Sequence, residues 1–96
     1  MSEVITAAVA ALNEKLDGAD FDGSAKFVIE GEGAVRIDET GASASDADAD
    51  VTMTADSETF QGILEGDVNP TSAFMSGKLA IDGDMGMAMK LGAILS

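Results

Sequence analysis

Lys26-Phe27-Val28-Ile29-Glu30-Gly31-Glu32-Gly33-Ala34-Val35-Arg36-Ile37-Asp38 alternates, turns and alternates again. Phe27 and Ile29 fall on one side of an extended chain, as do Val35 and Ile37, while Arg36 and Asp38 fall on the other. Gly31-Glu32-Gly33 between the two runs has the composition of a hairpin turn. The stretch predicts paired strands with a single apolar face, which some other element must cover.

Toward the C-terminus the same pattern returns in Val51-Thr52-Met53-Thr54-Ala55 and in Lys78-Leu79-Ala80-Ile81-Asp82, and a short fifth strand is read at Gly41 to Ser45. The covered face should hold Phe27, Ile29, Val35, Ile37, Val51, Met53, Leu79 and Ile81. On the other flank, Val4, Ile5, Ala8, Val9, Leu12 and Leu16 recur at helical spacing, which predicts an amphipathic helix from after Ser2 to Asp17-Gly18. Asp56 is a fitting N-cap for a helix carrying Phe60, Ile63 and Leu64 that stops at Gly66. Asn69-Pro70 opens a short helix with Ala73, Phe74 and Met75, ending at Gly77, and Asp84 caps a last helix from Met85 to Leu95. The order predicts an α+β domain: a mostly antiparallel five-stranded sheet with helices packed on one face.

At 96 residues the chain is read as one domain, 1–96. Aromatics are only 4% of it, so the core must come from Ala, Val, Ile, Leu and Met around Phe21, Phe27, Phe60 and Phe74. The sequence has no Cys and no His, which removes disulfides, the usual zinc and haem ligands, and Ser–His or Cys–His nucleophile pairs. No metal, cofactor or catalytic residue is expected, and the chain is not read as an enzyme. Eighteen acids against five cations give a net charge of −13, so nucleic acid and anionic membrane surfaces are repelled. The N-terminal Met1-Ser2-Glu3-Val4 lacks a basic signal region, and Ile94-Leu95-Ser96 is not a peroxisomal tripeptide. The longest apolar stretch, Thr6 to Leu12, is too short for a span, so no stable membrane insertion and a cytoplasmic location are expected.

Asp46-Ala47-Asp48-Ala49-Asp50 imitates the start of a calcium loop, but Val51 and Ser57 stand where that loop needs Gly and a bidentate Glu. The run reads as a solvated acidic loop. The last helix is more informative. Met85, Met87, Ala88, Met89, Leu91, Ala93, Ile94 and Leu95 surround one charge, Lys90, where a surface helix would carry a polar face. Such a helix is sandwiched between the core and either a partner subunit or an apolar guest, and methionine suits adaptable surfaces of that kind.

Several short motifs then occur in order. They are Ala49-Asp50-Val51-Thr52-Met53-Thr54, Phe60, Gly66, Asn69-Pro70-x-x-Ala73-Phe74-Met75-x-Gly77-Lys78-Leu79-x-Ile81, and Gly83-Asp84-Met85-Gly86-x-Ala88-Met89-Lys90-Leu91. This run resembles the sterol carrier protein 2 (sterol-binding domain) family. The resemblance implies an apolar lipid tunnel between sheet and helices, bounded by the C-terminal helix. It implies a non-catalytic carrier of a fatty acid, sterol or related lipid, the ligand being a lipid or sterol-like small molecule. The alternative is an accessory subunit that presents an apolar or acyl substrate to a separate lipid-metabolising enzyme. A homodimer is a further alternative for the partner. The residues expected to line the ligand site are Phe60, Ile63, Leu64, Phe74, Met75, Leu79, Ile81, Met85 and Met89.

Overall fold

The computed structural model describes residues 3–17 and 21–95. The chain runs α1 (Glu3–Leu16), β1 (Ser24–Ile29), β2 (Gly33–Asp38), β3 (Gly41–Ala44), β4 (Val51–Ala55), α2 (Ser57–Glu65), α3 (Pro70–Met75), β5 (Ala80–Gly83) and α4 (Met85–Leu95). The expected helix boundaries at Ser2 and Gly18 lie outside the described residues.

The five strands form one sheet in the order β3-β2-β1-β4-β5. The pairs β1–β2, β2–β3 and β4–β5 are antiparallel, while β1 and β4 run parallel. The sheet is therefore mixed, with its one parallel pair inside it. Burial follows the alternation of the sequence. Phe27, Ile29, Val35, Ile37, Val51, Met53 and Ala55 are buried, and Val35, Phe27, Met53 and Ile81 stand in register across four strands. α1 contributes Ile5, Ala8 and Leu12 to the same core, and α2 contributes Phe60 and Ile63.

The fifth strand begins later than its sequence pattern predicts. The N–H groups of Lys78 and Leu79 both donate to the Ala73 carbonyl, at 2.9 and 3.1 Å. These two residues finish the turn after α3 and leave pairing to start at Ala80. Leu79 is still buried, because that turn carries its side chain under the helices.

The opposite face of the sheet is crossed by the acidic run. Lys26 donates to the carbonyl and carboxylate of Asp46 at 3.3 and 3.1 Å, and the Arg36 Nε–H donates to the Asp48 carbonyl at 3.1 Å. Asp50 accepts from the Ser24 N–H at 3.2 Å, and the Asp50 N–H donates to Ser24 Oγ at 3.0 Å. These aspartates are tied into a strap between β3 and β4, and no group of three or more metal-ligating side chains occurs among the described residues. At the β3 edge, Asn13 of α1 presents its amide to the backbone of Ala42. Its Nδ2–H donates to the carbonyl at 3.0 Å, and its Oδ1 accepts from the N–H at 2.8 Å. Gly41 makes the approach possible, since a Cβ there would lie 2.6 Å from Asn13 Oδ1.

Candidate functional site

An apolar cleft of about 390 Å³ opens between α3, α4 and the β4–β5 side of the sheet. Met53, Leu79 and Ile81 form its floor; Pro70, Phe74 and Met75 form one wall; Met85, Ala88, Met89, Gly92 and Ala93 form the other. Asn69 and Thr71 are its polar lining residues, and no acidic or basic side chain lines it among the described residues. The volume lies within the range of about 300–1,000 Å³ usual for small-molecule sites.

The walls are positioned by caps and close contacts. A helix of six residues has little stability of its own. α3 is held by Asn69, whose Oδ1 accepts from the N–H groups of Thr71 and Ser72 at 2.8 and 3.2 Å, and by Ala73, which is buried. With Ala73 turned inward, Phe74 and Met75 face the cleft and the solvent beyond it. At the head of α4, Asp84 Oδ1 accepts from the Met87 N–H at 3.1 Å, and the Asp84 N–H donates to the Asp50 carbonyl at 3.1 Å. Gly83, at φ +112°, lets β5 reach that point, for a Cβ there would sit 2.5 Å from the same carbonyl oxygen. One side of α4 is then sealed: Leu91 is fully buried, and Met87 lies so close over Gly23 that a Cβ there would be 2.4 Å from its methyl. The other side is open, with Met85 42% and Met89 69% exposed.

Of the residues expected to line the site, Phe74, Met75, Leu79, Ile81, Met85 and Met89 come together here. Phe60, Ile63 and Leu64 do not. Phe60 and Ile63 are buried, with Phe60 packed edge-on against Phe27 at a ring separation of 4.9 Å. Leu64, with the flank of Phe60, faces a second groove between α1 and α2 that Val4, Ala7, Ala8 and Ala11 complete. Sequence reasoning missed Met53, Asn69, Pro70, Thr71, Ala88, Gly92 and Ala93 as lining residues. The last three could have been found, since they stand three to eight residues from Met85 and share its side of the helix. The cavity is an open cleft rather than a closed tunnel, because Met75 and Met89 on its two walls are 81% and 69% exposed.

The perturbed carboxyls lie elsewhere and serve local structure. Hydrogen bonds from the N–H and side chain of Thr59 hold the Asp56 carboxyl below the usual carboxylate range, as its role at the start of α2 requires. The Thr40 hydroxyl and N–H, with Arg36, do the same for Asp38 in the β2–β3 turn. Among the described residues, no charged side chain lines the cleft. It can remove apolar surface from water and offer an amide and a hydroxyl at one end.

The chain is 60% identical over 43 residues to hydroxysteroid dehydrogenase-like protein 2 of Danio rerio, which is 45% of this chain and 10% of that protein. It is 51% identical over 47 residues to human sterol carrier protein 2, 49% of this chain and 9% of that one. The matches thus span about a tenth of the length of these curated relatives. Among solved structures, the Aedes aegypti sterol carrier protein 2 in complex with palmitate superposes with a TM-score of 0.80 at 20% identity, covering 100% of this chain and 97% of that one. Its sheet-and-helix fold is the one described above. The model of the SCP-2 sterol transfer family matches residues 5–96, and the chain belongs to that family.

Proposed function

We propose that the chain is a lipid-binding module that carries out no reaction of its own and holds the apolar part of a fatty acid, sterol or related lipid in the α3–α4 cleft. One observation carries the reading. Phe74, Met75, Met85 and Met89 are the large apolar side chains exposed among the described residues, and all four line this one cleft. Exposed apolar surface gathered in one concavity marks a binding site, whereas scattered exposure does not. Burial of an apolar guest is worth about 25 cal/mol per Å², so an acyl chain supplies affinity without any charged contact. The palmitate held by the Aedes aegypti relative is the kind of ligand this chemistry suits.

The test is native mass spectrometry of gently purified protein with extraction of its lipid, followed by displacement of a fluorescent fatty acid. Co-purified lipid and saturable displacement are the expected results. A chain that carries no lipid and binds neither a fatty acid nor a sterol probe would end the proposal.

A second reading is supported by the long relatives, in which the matching segment occupies about a tenth of the protein. In that reading the module presents an apolar substrate to a separate lipid-metabolising enzyme. Adding the chain to such an enzyme should then lower the substrate concentration that it needs, and no change would count against this role.

A further inference from the structure

The five cationic side chains of this chain all fall among the described residues, and none lines the cleft. Lys26 is bonded to Asp46, and Arg36 to Asp38 and to the Asp48 carbonyl. Lys78 acts on the Asp56 carboxyl. Lys15 belongs to α1, and Lys90, on α4, is exposed. Carboxylates border the elements that build the cleft: Asp67 ahead of α3, Asp82 on β5, and Asp84 with Asp50 at the head of α4. Within the lining, the polar side chains that a ligand meets are those of Asn69 and Thr71, both uncharged. Asn69 commits its Oδ1 to the N–H groups of Thr71 and Ser72. Its amide NH₂ remains a donor, and the Thr71 hydroxyl can donate or accept.

We propose that the cleft selects lipids whose polar end is an uncharged hydroxyl over ionised fatty acids, and that Asn69 and Thr71 set this preference. The inference rests on the reading of the cleft as a lipid site. Two costs fall on an ionised acid alone. Its carboxylate loses water on entry and finds no cation in the lining to replace it. It also approaches a body of net charge −13. A hydroxyl gives up less water, and an amide donor with a second hydroxyl is enough to satisfy it. The acid still binds through its chain, because the apolar contribution is common to both ligands. The polar end therefore decides between two lipids of equal length.

The experiment compares dodecanol with laurate, which have the same chain length, as competitors of an uncharged phenylnaphthylamine probe. At about pH 7.5 dodecanol should bind at least about tenfold tighter than laurate. Toward about pH 5 laurate should gain as its carboxyl takes up a proton, while dodecanol stays level. Added salt at pH near 7.5 should recover only the long-range part of the difference. Thr71→Lys places a cation in the lining at an exposed position and should improve laurate at least about fivefold, with dodecanol little changed. Ser72→Lys adds the same charge at a position that does not line the cleft, and should leave the ratio of the two ligands as in the parent. Asn69→Asp keeps the capping oxygen but removes the amide donor, and should weaken dodecanol at least about threefold. Laurate that binds as well as dodecanol in the parent overturns the selectivity and leaves the lipid site standing. So does a loss of laurate binding in Lys90→Gln, which would reveal a counter-ion, or an equal gain from both lysine substitutions. If neither ligand displaces the probe, the reading of the cleft as a lipid site fails as well.

Discussion

Phe27 and Met53 are neighbours in register on the same face of the sheet, and each is 2% exposed, yet what lies above them differs. Phe27 is roofed by the Phe60 ring, which meets it at 61°. Met53, with Ile81 beyond it, is roofed by the cleft. The sheet is continuous under both regions, so the roof makes the difference. Over β1 and β2 the helices supply Leu12, Phe60 and Ile63, which fill the space. Over β4 and β5 they supply Ala88, Gly92 and Ala93, which leave it open, and they set Phe74, Met85 and Met89 along its sides. Close packing and the proposed binding cleft thus occupy adjacent parts of one layer.

If that division holds, substitutions on the two sides should have opposite signatures. Phe60→Ala removes the roof of the sealed side and should cost about 3–5 kcal/mol of unfolding free energy, read from a urea melt. A loss below about 1 kcal/mol would mean that the sealed side is not closely packed after all. Met89→Asp should do the converse. It should weaken displacement of a fluorescent fatty acid at least about tenfold, or about 1.4 kcal/mol, while unfolding shifts by no more than about 0.5 kcal/mol. A variant that is folded by circular dichroism and binds like the parent would dissolve the distinction.

The smallest effect sharpens the comparison by pH. The folded Asp56 carboxyl is held below its ordinary value of 3.8, so its contribution is present above that value and is lost as pH falls through the folded one. The parent's thermal midpoint should therefore drop on acidification below about pH 4. Asp56→Asn keeps a capping oxygen for the Thr59 N–H but has nothing to protonate, so part of that drop should vanish. Parallel curves for parent and variant would place the acid sensitivity elsewhere. Asp56 opens the helix that carries Phe60, so this sensitivity belongs to the sealed side.

The sequence made the sealed side legible and the cleft only partly so. Alternation gave the covered face of β1, β2 and β4, and the caps Asp56, Asn69 and Asp84 placed the helices that follow them. These are local signals, carried by residues a few positions apart. The parallel pairing of β1 with β4 depends on a long-range return of the chain beneath the strap, which no spacing encodes. The same limit applies to the site. Helical spacing puts Phe60, Ile63 and Leu64 on one side of α2 but cannot say whether that side meets Phe27 or a guest. Only the direction in which α2 crosses the sheet decides it. The segment Lys78-Leu79 looked like strand by alternation and instead closes α3, because the Ala73 carbonyl takes both N–H groups.

The amide of Asn13 bears on how these molecules behave toward one another. β3 is a border of the sheet, and the backbone groups at such a border would otherwise invite a strand from another chain. Asn13 occupies both hydrogen-bonding groups of Ala42, standing in for the residue that an incoming strand would bring. At the other border β5 is only four residues long and carries Asp82. One border is thus blunted by a side-chain amide and the other by its shortness and a carboxylate, and both features disfavour strand-by-strand growth into fibrils.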